Sequence, residues 1–177
     1  MILTLLTTNT TTSGSTSVFT SSIDSTYDEY MFVVTDFNPE TDGAELLFNG
    51  SIDGGSNYNV AKTTTWLQST HDEAGEYGSI SYDTGSDLSQ GTAGQRIMKD
   101  TFDAADAGGC AIVHLFSPAS TTYVTHFYSK SHWMHQASYA FTAFVGGYFN
   151  STDNIDAVEF KTDSGDFDAV IQMYGVA

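Results

Sequence analysis

Basic residues are scarce in this chain. Its 177 residues include five Lys and Arg against 22 Asp and Glu, which gives a formal net charge of −17. Proteins that bind DNA or RNA need a basic surface to neutralise phosphates, and anionic membranes attract basic segments for the same reason. Five scattered cations cannot build such a surface: Lys62, Arg96, Lys99, Lys130 and Lys161. We therefore expect no nucleic-acid partner and no docking on an anionic membrane.

Cysteine and long apolar runs are also nearly missing. Cys110 is the one cysteine, so no disulfide can form within the chain. It stands at the start of an apolar segment, which predicts a buried, unreactive thiol. The apolar run Ile2 to Leu6 is too short for the core of a signal peptide. No window approaches the roughly eighteen apolar residues of a membrane-spanning helix. We expect a soluble protein without its own secretory signal.

Charged residues make up only 15% of the chain, and Thr, Ser, Gly and Asn dominate the polar remainder, so long helices are not expected. Aromatic residues are plentiful, with 12 Phe, 10 Tyr and 2 Trp. In the richest stretch, 111–149, Phe141, Ala143 and Val145 share one strand face while Phe144 lies on the other. These features predict an all-β fold: an antiparallel, jelly-roll-like β-sandwich of about nine to eleven strands.

A chain of this length fits one domain. We assign residues 21–177 to a single β-sandwich domain and residues 1–20 to an N-terminal arm or edge strand. The arm begins with an apolar strand and continues as a tract of Thr, Ser and Asn. Such a strand can pair along its own sheet or with a neighbouring subunit, and both alternatives stay open. Its candidate assembly residues are Ile2, Leu3, Leu5 and Leu6.

Two Gly-containing turns predict hairpins. Asp53-Gly54-Gly55 would join strand 44–51 to strand 58–67, because glycine adopts positive φ freely. Asp163-Ser164-Gly165-Asp166 would join 157–161 to the last strand in the same way. The stretch 69–106 is less regular, with short strands around Ile80 and Ile97. It is therefore our candidate for a long surface excursion.

No pattern of catalytic residues is evident. The chain has no Gly-x-Ser-x-Gly elbow and no Walker-type phosphate loop. His132 and His135 could share a metal only on a helical turn, since in a strand they point to opposite faces. Acidic residues such as Asp53 and Asp72 lie in turns, where they usually accept hydrogen bonds from their own backbone, with adventitious Ca²⁺ as the alternative. We expect no enzyme activity, no cofactor and no metal site.

Trp66 and Trp133 are the two tryptophans, and two interpretations apply to each. Exposed aromatic rings stack on sugars in carbohydrate-binding β-sandwiches, so both are candidate ligand-facing residues. Packing in the core is the stronger interpretation, because a tryptophan buries a large apolar area.

Several segments together resemble a family of small virion structural proteins of marine bacteriophages, described as tail-fibre-like or capsid-associated. The resemblance covers most of residues 20–177 and is carried by turn and core-strand motifs: Ile23 to Tyr30, Phe48 to Tyr58, His114 to Pro118, Tyr123 to Tyr128, Gly146 to Asn150 and Ile171 to Val176. It implies a β-sandwich component of the virion and transfers no catalytic residue.

The resemblance leads to two functional expectations for a protein on the virion surface. The first is a capsid decoration or cement protein on the head, with the major capsid protein as partner. The alternative is a tail-fibre or receptor-binding domain that recognises host surface glycan, with tail components as partners. Either protein would be a homo-oligomer, with a trimer as one arrangement. A carbohydrate-binding module from outside phages and a hydrolase are the remaining alternatives.

Overall fold

The computed structural model describes residues 2–177; Met1, the first residue of the assigned arm, lies outside this range. Twelve strands and no helix are present in this part of the chain, so the predicted all-β class is confirmed, while the predicted nine to eleven strands were too few. The short strands of the stretch 69–106 both form. The strands are β1 (Leu3–Gly14), β2 (Thr16–Phe19), β3 (Glu29–Pro39), β4 (Ala44–Ser51), β5 (Lys62–Asp72), β6 (Gly78–Tyr82), β7 (Gln95–Thr101), β8 (Gly109–Phe116), β9 (His126–His135), β10 (Tyr139–Phe149), β11 (Ala157–Thr162) and β12 (Phe167–Val176).

All strand pairs are antiparallel and belong to one hydrogen-bonded sheet. Its main path runs β1-β12-β3-β8-β9-β7-β4-β11-β2, and a branch from β9 continues through β10 and β5 to β6. The step from β9 to β7 rests on the single pair Thr101 and His135. The sheet therefore has two broad parts joined by a narrow connection.

Aromatic side chains of strands that are not neighbours in the sheet pack against each other in the core. Phe48 of β4 packs against Phe127 of β9, with ring centroids 5.3 Å apart. Phe160 of β11 lies 5.7 Å from Phe32 of β3 and 5.3 Å from Phe48. All four rings are at most 2% exposed. Burial of this apolar area is the main stabilising contribution to the fold.

The outermost strands β1 and β2 come close to each other, so the sheet nearly closes. Asn9 of β1 donates from Nδ2 to the backbone oxygen of Val18 in β2, at 2.8 Å. Only Ser15 separates the two strands in sequence, and Ser13 just before it has a positive φ of 46°. Residues 3–14 thus form an edge strand on β12, and residues 16–19 pair with β11.

Both hairpin predictions were wrong. β4 pairs with β7 and β11, whereas β5 pairs with β6 and β10, so the turn at Asp53 starts a crossover between the two parts of the sheet. β11 and β12 likewise belong to different parts, with β4 and β2 beside one and β1 and β3 beside the other. Turn chemistry predicts where the chain reverses, but a hairpin also requires that the two strands become neighbours in the sheet.

Candidate functional site

Trp66 and Trp133 are 0% and 1% exposed, so the ligand-facing interpretation is wrong and the core interpretation is confirmed. Their rings meet edge to face with centroids 6.3 Å apart. Trp133 donates its Nε1–H to the backbone oxygen of Lys99 at 2.7 Å, and Trp66 donates to Oε1 of Gln68 at 2.9 Å. Because both polar groups are satisfied inside the protein, neither indole is available to a ligand.

The N-terminal apolar residues lie on the edge strand and leave an apolar margin. Ile2, Leu3 and Leu5 are 70%, 42% and 51% exposed. Leu6 is partly buried and packs against the core, because a register shift between Leu5 and Thr7 turns its side chain inward. The backbone of Ile2 exchanges two hydrogen bonds with Ala177, at 2.8 and 3.0 Å.

One apolar feature of the surface is a line of side chains across the outer face of six neighbouring strands. Its members are direct Cα partners in successive ladders. Four of them are large apolar residues that are 40–50% exposed. We call this line the outer row; in strand order it consists of Tyr82, Leu67, Phe144, Lys130, Ile112 and Val33.

Lys130 stands in the middle of the outer row and interacts with its central ring. Its Nζ lies 5.5 Å from the centroid of Phe144, which is cation–π geometry. The aliphatic stem of a lysine also covers apolar neighbours while the charge stays in water. The row therefore combines apolar area with one positive charge in a chain that is otherwise strongly acidic.

The parity of Phe144 in the sequence is a signal for the outer row. Phe144 has the opposite parity to Phe141, Ala143 and Val145, which are all buried. A strand with apolar residues on both faces needs either a second cover or an exposed apolar surface. Leu67 and Ile112 show the same parity relative to their buried neighbours, but only the strand register brings the three side chains into one line.

A second aromatic group, the aromatic tier, lies on the same outer face, two to four residues along the strands from the outer row. His114 and Phe116 of β8 stack with Tyr128 of β9, with ring centroids 4.5 and 5.6 Å away. His126 and Tyr148 follow on β9 and β10, with centroids 5.8 Å apart. The tier thus consists of His114, Phe116, His126, Tyr128 and Tyr148.

The aromatic tier borders a depression of about 290 Å³ between β9, β10 and β5. Gly146 lies directly between Tyr128 and Thr65 in the strand register, so no side chain fills the space between them. His126, Tyr148 and hydroxyl-bearing threonines of β5 line the depression. Flat rings beside hydroxyl groups can stack on a sugar ring and hydrogen-bond its hydroxyls.

The remaining sequence candidates lie outside the outer row and the aromatic tier. His132 bonds Oγ1 of Thr142 on the outer face, whereas His135 stacks on the buried ring of Phe141 with centroids 4.7 Å apart, so the two histidines point in opposite directions as predicted. Burial lowers the pKa of His135.

Cys110 is exposed on the outer face of β8, so the prediction of a buried thiol was wrong. The apolar run extends on both faces of β8, and parity places Cys110 with its outward residues.

The turn carboxylates accept hydrogen bonds from their own loops. Asp53 accepts from Nδ2 and the backbone N–H of Asn57 and from the hydroxyl of Ser51, at 2.7–2.9 Å, and these bonds lower its pKa to about 2. Asp72 accepts from the backbone N–H groups of Glu76 and Tyr77. Within residues 2–177 no group of three or more His, Cys, Asp or Glu side chains is arranged to hold a metal ion, and no helix could span a membrane.

The outer row and the aromatic tier are therefore the two candidate functional features of the surface. Comparison of the chain with protein-family models, with curated proteins and with solved structures found no match.

Proposed function

We propose that this chain is a structural protein of a bacteriophage virion that decorates or cements the surface of the head. The observation that carries the proposal is the outer row, with four large apolar side chains that are 40–50% exposed on a rigid sheet face. Contiguous exposed apolar area of this kind is typical of surfaces that bind another protein. The sequence resemblance to virion structural proteins supports the same assignment.

The partner in this proposal is the major capsid protein, which the outer row contacts from the virion surface. The contact would bury Leu67 and Phe144 at its centre, where aromatic and aliphatic anchors contribute most of the binding energy. Lys130 would meet an acidic or carbonyl group of the shell. The net charge of −17 opposes non-specific aggregation, so attachment to the shell does not compete with it.

The apolar margin of β1 provides the second contact of the proposal, between copies of this chain. Leu3 and Leu5 are exposed on an edge strand, and edge strands pair readily with other chains. A homo-oligomer built in this way would leave the outer row free for the shell. A symmetric trimer is one arrangement that satisfies both contacts.

The fold in this proposal is a jelly-roll-like β-sandwich. Strands β2, β11, β4 and β7 would be one layer, and the strands from β1 through β9 to β6 would be the other. The contacts of Phe48 and Phe160 with Phe127 and Phe32 across the core support this division. The single bridge between β7 and β9 is the place where the layers join.

The test uses assembled particles. Cryo-electron microscopy should place copies of this chain over the icosahedral lattice, with the outer row against the shell. Shells that lack the protein should bind the purified wild type and lose most binding of Phe144→Ser. Tyr123→Ser is the matched control, since Tyr123 is 74% exposed on a loop outside the outer row. Density confined to the tail, or equal binding by both variants, contradicts the proposal.

The aromatic tier favours a second function, recognition of a host surface glycan by a tail-fibre or receptor-binding domain. His126 and Tyr148 line the depression at Gly146, and Tyr128 is the strand partner of Gly146. This function requires a stable trimer in isolation and binding to host polysaccharide that Tyr128→Ala abolishes. A monomer that associates weakly off the particle and ignores polysaccharide argues against this function and for decoration.

A further inference from the structure

Lys62, the first residue of β5, is completely buried. Its side chain is 0% exposed, and its Nζ lies 2.6 Å from Oδ1 of Asn49 and 3.0 Å from the backbone oxygen of Val60. The ring of Phe149 covers it with a centroid 5.7 Å from Nζ. No carboxylate in residues 2–177 lies within ion-pair distance of this amine.

A buried amine without a counter-ion favours its neutral form. Burial, together with the charge of Lys161, lowers the pKa of Lys62 from 10.5 to about 7. A substantial fraction of this side chain is therefore an uncharged amine at neutral pH, with a free lone pair on Nζ. A neutral amine is a nucleophile, whereas an ammonium ion is not.

The side-chain amide of Asn49 is held in a fixed orientation beside this amine. Asn49 is 2% exposed, and its Nδ2 donates to the backbone oxygens of Tyr58 and Thr92. Its Oδ1 accepts a second hydrogen bond, from the backbone N–H of Gly50 at 2.9 Å. Hydrogen bonds to a carbonyl oxygen polarise the carbon and stabilise negative charge that develops on the oxygen during attack.

We propose that Lys62 and Asn49 join in an intramolecular amide bond. Nζ of Lys62 attacks Cγ of Asn49, the Cγ–Nδ2 bond breaks, and one proton passes from Nζ to the departing nitrogen, which leaves as ammonia. The step is an exchange of one amide for another, so it needs no oxidant, reductant or cofactor. The N–H of Gly50 stays on Oδ1 throughout and stabilises the tetrahedral intermediate.

The bond would connect parts of the sheet that share no ladder. β4 lies between β7 and β11, whereas β5 lies between β10 and β6. The crossover 52–61 would become part of a closed covalent ring. Like a disulfide, such a ring restricts the unfolded chain and stabilises the fold, but reducing agents cannot break it.

The experiment starts with the intact mass of the purified full chain, which should be lower than the sequence mass by one ammonia. Asn49 precedes Gly50, so a succinimide at Asn49 would lose ammonia too. The variant Lys62→Met separates the two: it should keep the full mass. Persistence of the ammonia loss in Lys62→Met, or the full sequence mass in the wild type after prolonged incubation at pH 8, overturns the proposal.

Digestion of the unfolded protein locates the bond. A protease that cuts before Asp residues separates segments 42–52 and 53–71, which contain Asn49 and Lys62 respectively. The wild type should yield both segments joined in one branched peptide, and Asn49→Ala should yield them apart. Free segments 42–52 and 53–71 from the wild type overturn the proposal even if a variant fails to fold.

The pH dependence tests the attacking species. Protein that has been purified in denaturant is refolded at two pH values. Ammonia loss should be roughly a hundredfold faster at pH 8 than at pH 5, because the neutral amine of Lys62 is the reacting form and its pKa is about 7. A rate that is the same at both pH values contradicts attack by Lys62.

Discussion

The indole of Trp66 packs edge to face on the indole of Trp133, and this contact joins β5 to β9 although β10 lies between them. The two largest side chains of the protein thus fill the core beside the narrow connection between the parts of the sheet. Tryptophans of this kind determine stability and do not contact a ligand.

Truncation of Trp133 should be severely destabilising. Trp133→Ala removes a 1% exposed ring and leaves a cavity, so we expect a loss of about 3–5 kcal/mol in the free energy of unfolding. Urea denaturation followed by circular dichroism measures this value. Tyr123→Ala, at a 74% exposed position, should change it by less than about 0.5 kcal/mol. Equal effects of both variants would mean that the core does not lie at Trp133.

Replacement of Phe144 should separate association from stability. Its ring is 48% exposed, so Phe144→Ser should cost no more than about 1 kcal/mol of stability, including the cation–π contact with Lys130. Binding to shells that lack the protein should decrease, because the apolar centre of the outer row is lost, whereas self-association through β1 in sedimentation velocity should stay unchanged. Unchanged shell binding together with unchanged stability would contradict attachment through the outer row.

The Asp83–Lys99 ion pair should make stability depend on pH in the acid range. Burial opposes ionisation of Asp83, but the ammonium of Lys99, the N–H of Gly85 and the hydroxyl of Ser86 outweigh it and lower the pKa of Asp83 to about 2. The folded pKa lies below the unfolded value of about 3.9. The contribution is therefore complete above pH 4 and disappears as the pH falls through about 2.

Asp83→Asn should consequently be less stable than wild type at pH 7 and approach it at pH 2. Denaturant titrations at a series of pH values measure this difference, with exposed Asp103→Asn as the control that should follow the wild type. A deficit for Asp83→Asn that stays constant down to pH 2 would exclude the ion pair as its cause.

Alanine should destabilise the protein at Gly147 of β10 but not at the adjacent Gly146. A Cβ on Gly147 would lie 2.6 Å from Cγ2 of Thr64 and 2.8 Å from the backbone oxygen of Thr63, which the ladder holds in place. We expect Gly147→Ala to cost about 1–3 kcal/mol. On Gly146 the nearest atom is Oγ1 of Thr65 at 3.7 Å, so Gly146→Ala should be tolerated. Thermal unfolding of both variants measures the difference in stability. Equal melting temperatures of the two variants would contradict a closer backbone approach at Gly147 than at Gly146.

The sequence predicted which residues are buried better than it predicted which strands pair. Parity alone put Phe141, Ala143 and Val145 on one strand face, and that face is the buried one, because alternation follows from strand geometry. Pairing depends on which strand of the sheet the chain joins after its turn, and the turns at Asp53 and Asp163 carry no information on this choice. The pairs of the first and last strands involve residues far apart in sequence, which no local pattern can indicate.

The alignment of side chains in the outer row could not be predicted from the sequence, for the same reason. Leu67, Phe144 and Ile112 are unremarkable one at a time, and they form a row only through the registers of three ladders. Lys62 and Asn49 are likewise separated by a crossover whose path the sequence does not reveal.

The order of the strands has a consequence for how the protein is made. β1 pairs with β12 and β2 pairs with β11, so β1 and β2 leave the ribosome well before the strands that they pair with. Non-local pairing of this kind makes folding slow, since the entropy of closing a long loop is lost before the contacts form. Until β11 and β12 have been synthesised, the backbone of β1 and β2 lacks its partners, and unpaired strand edges promote aggregation.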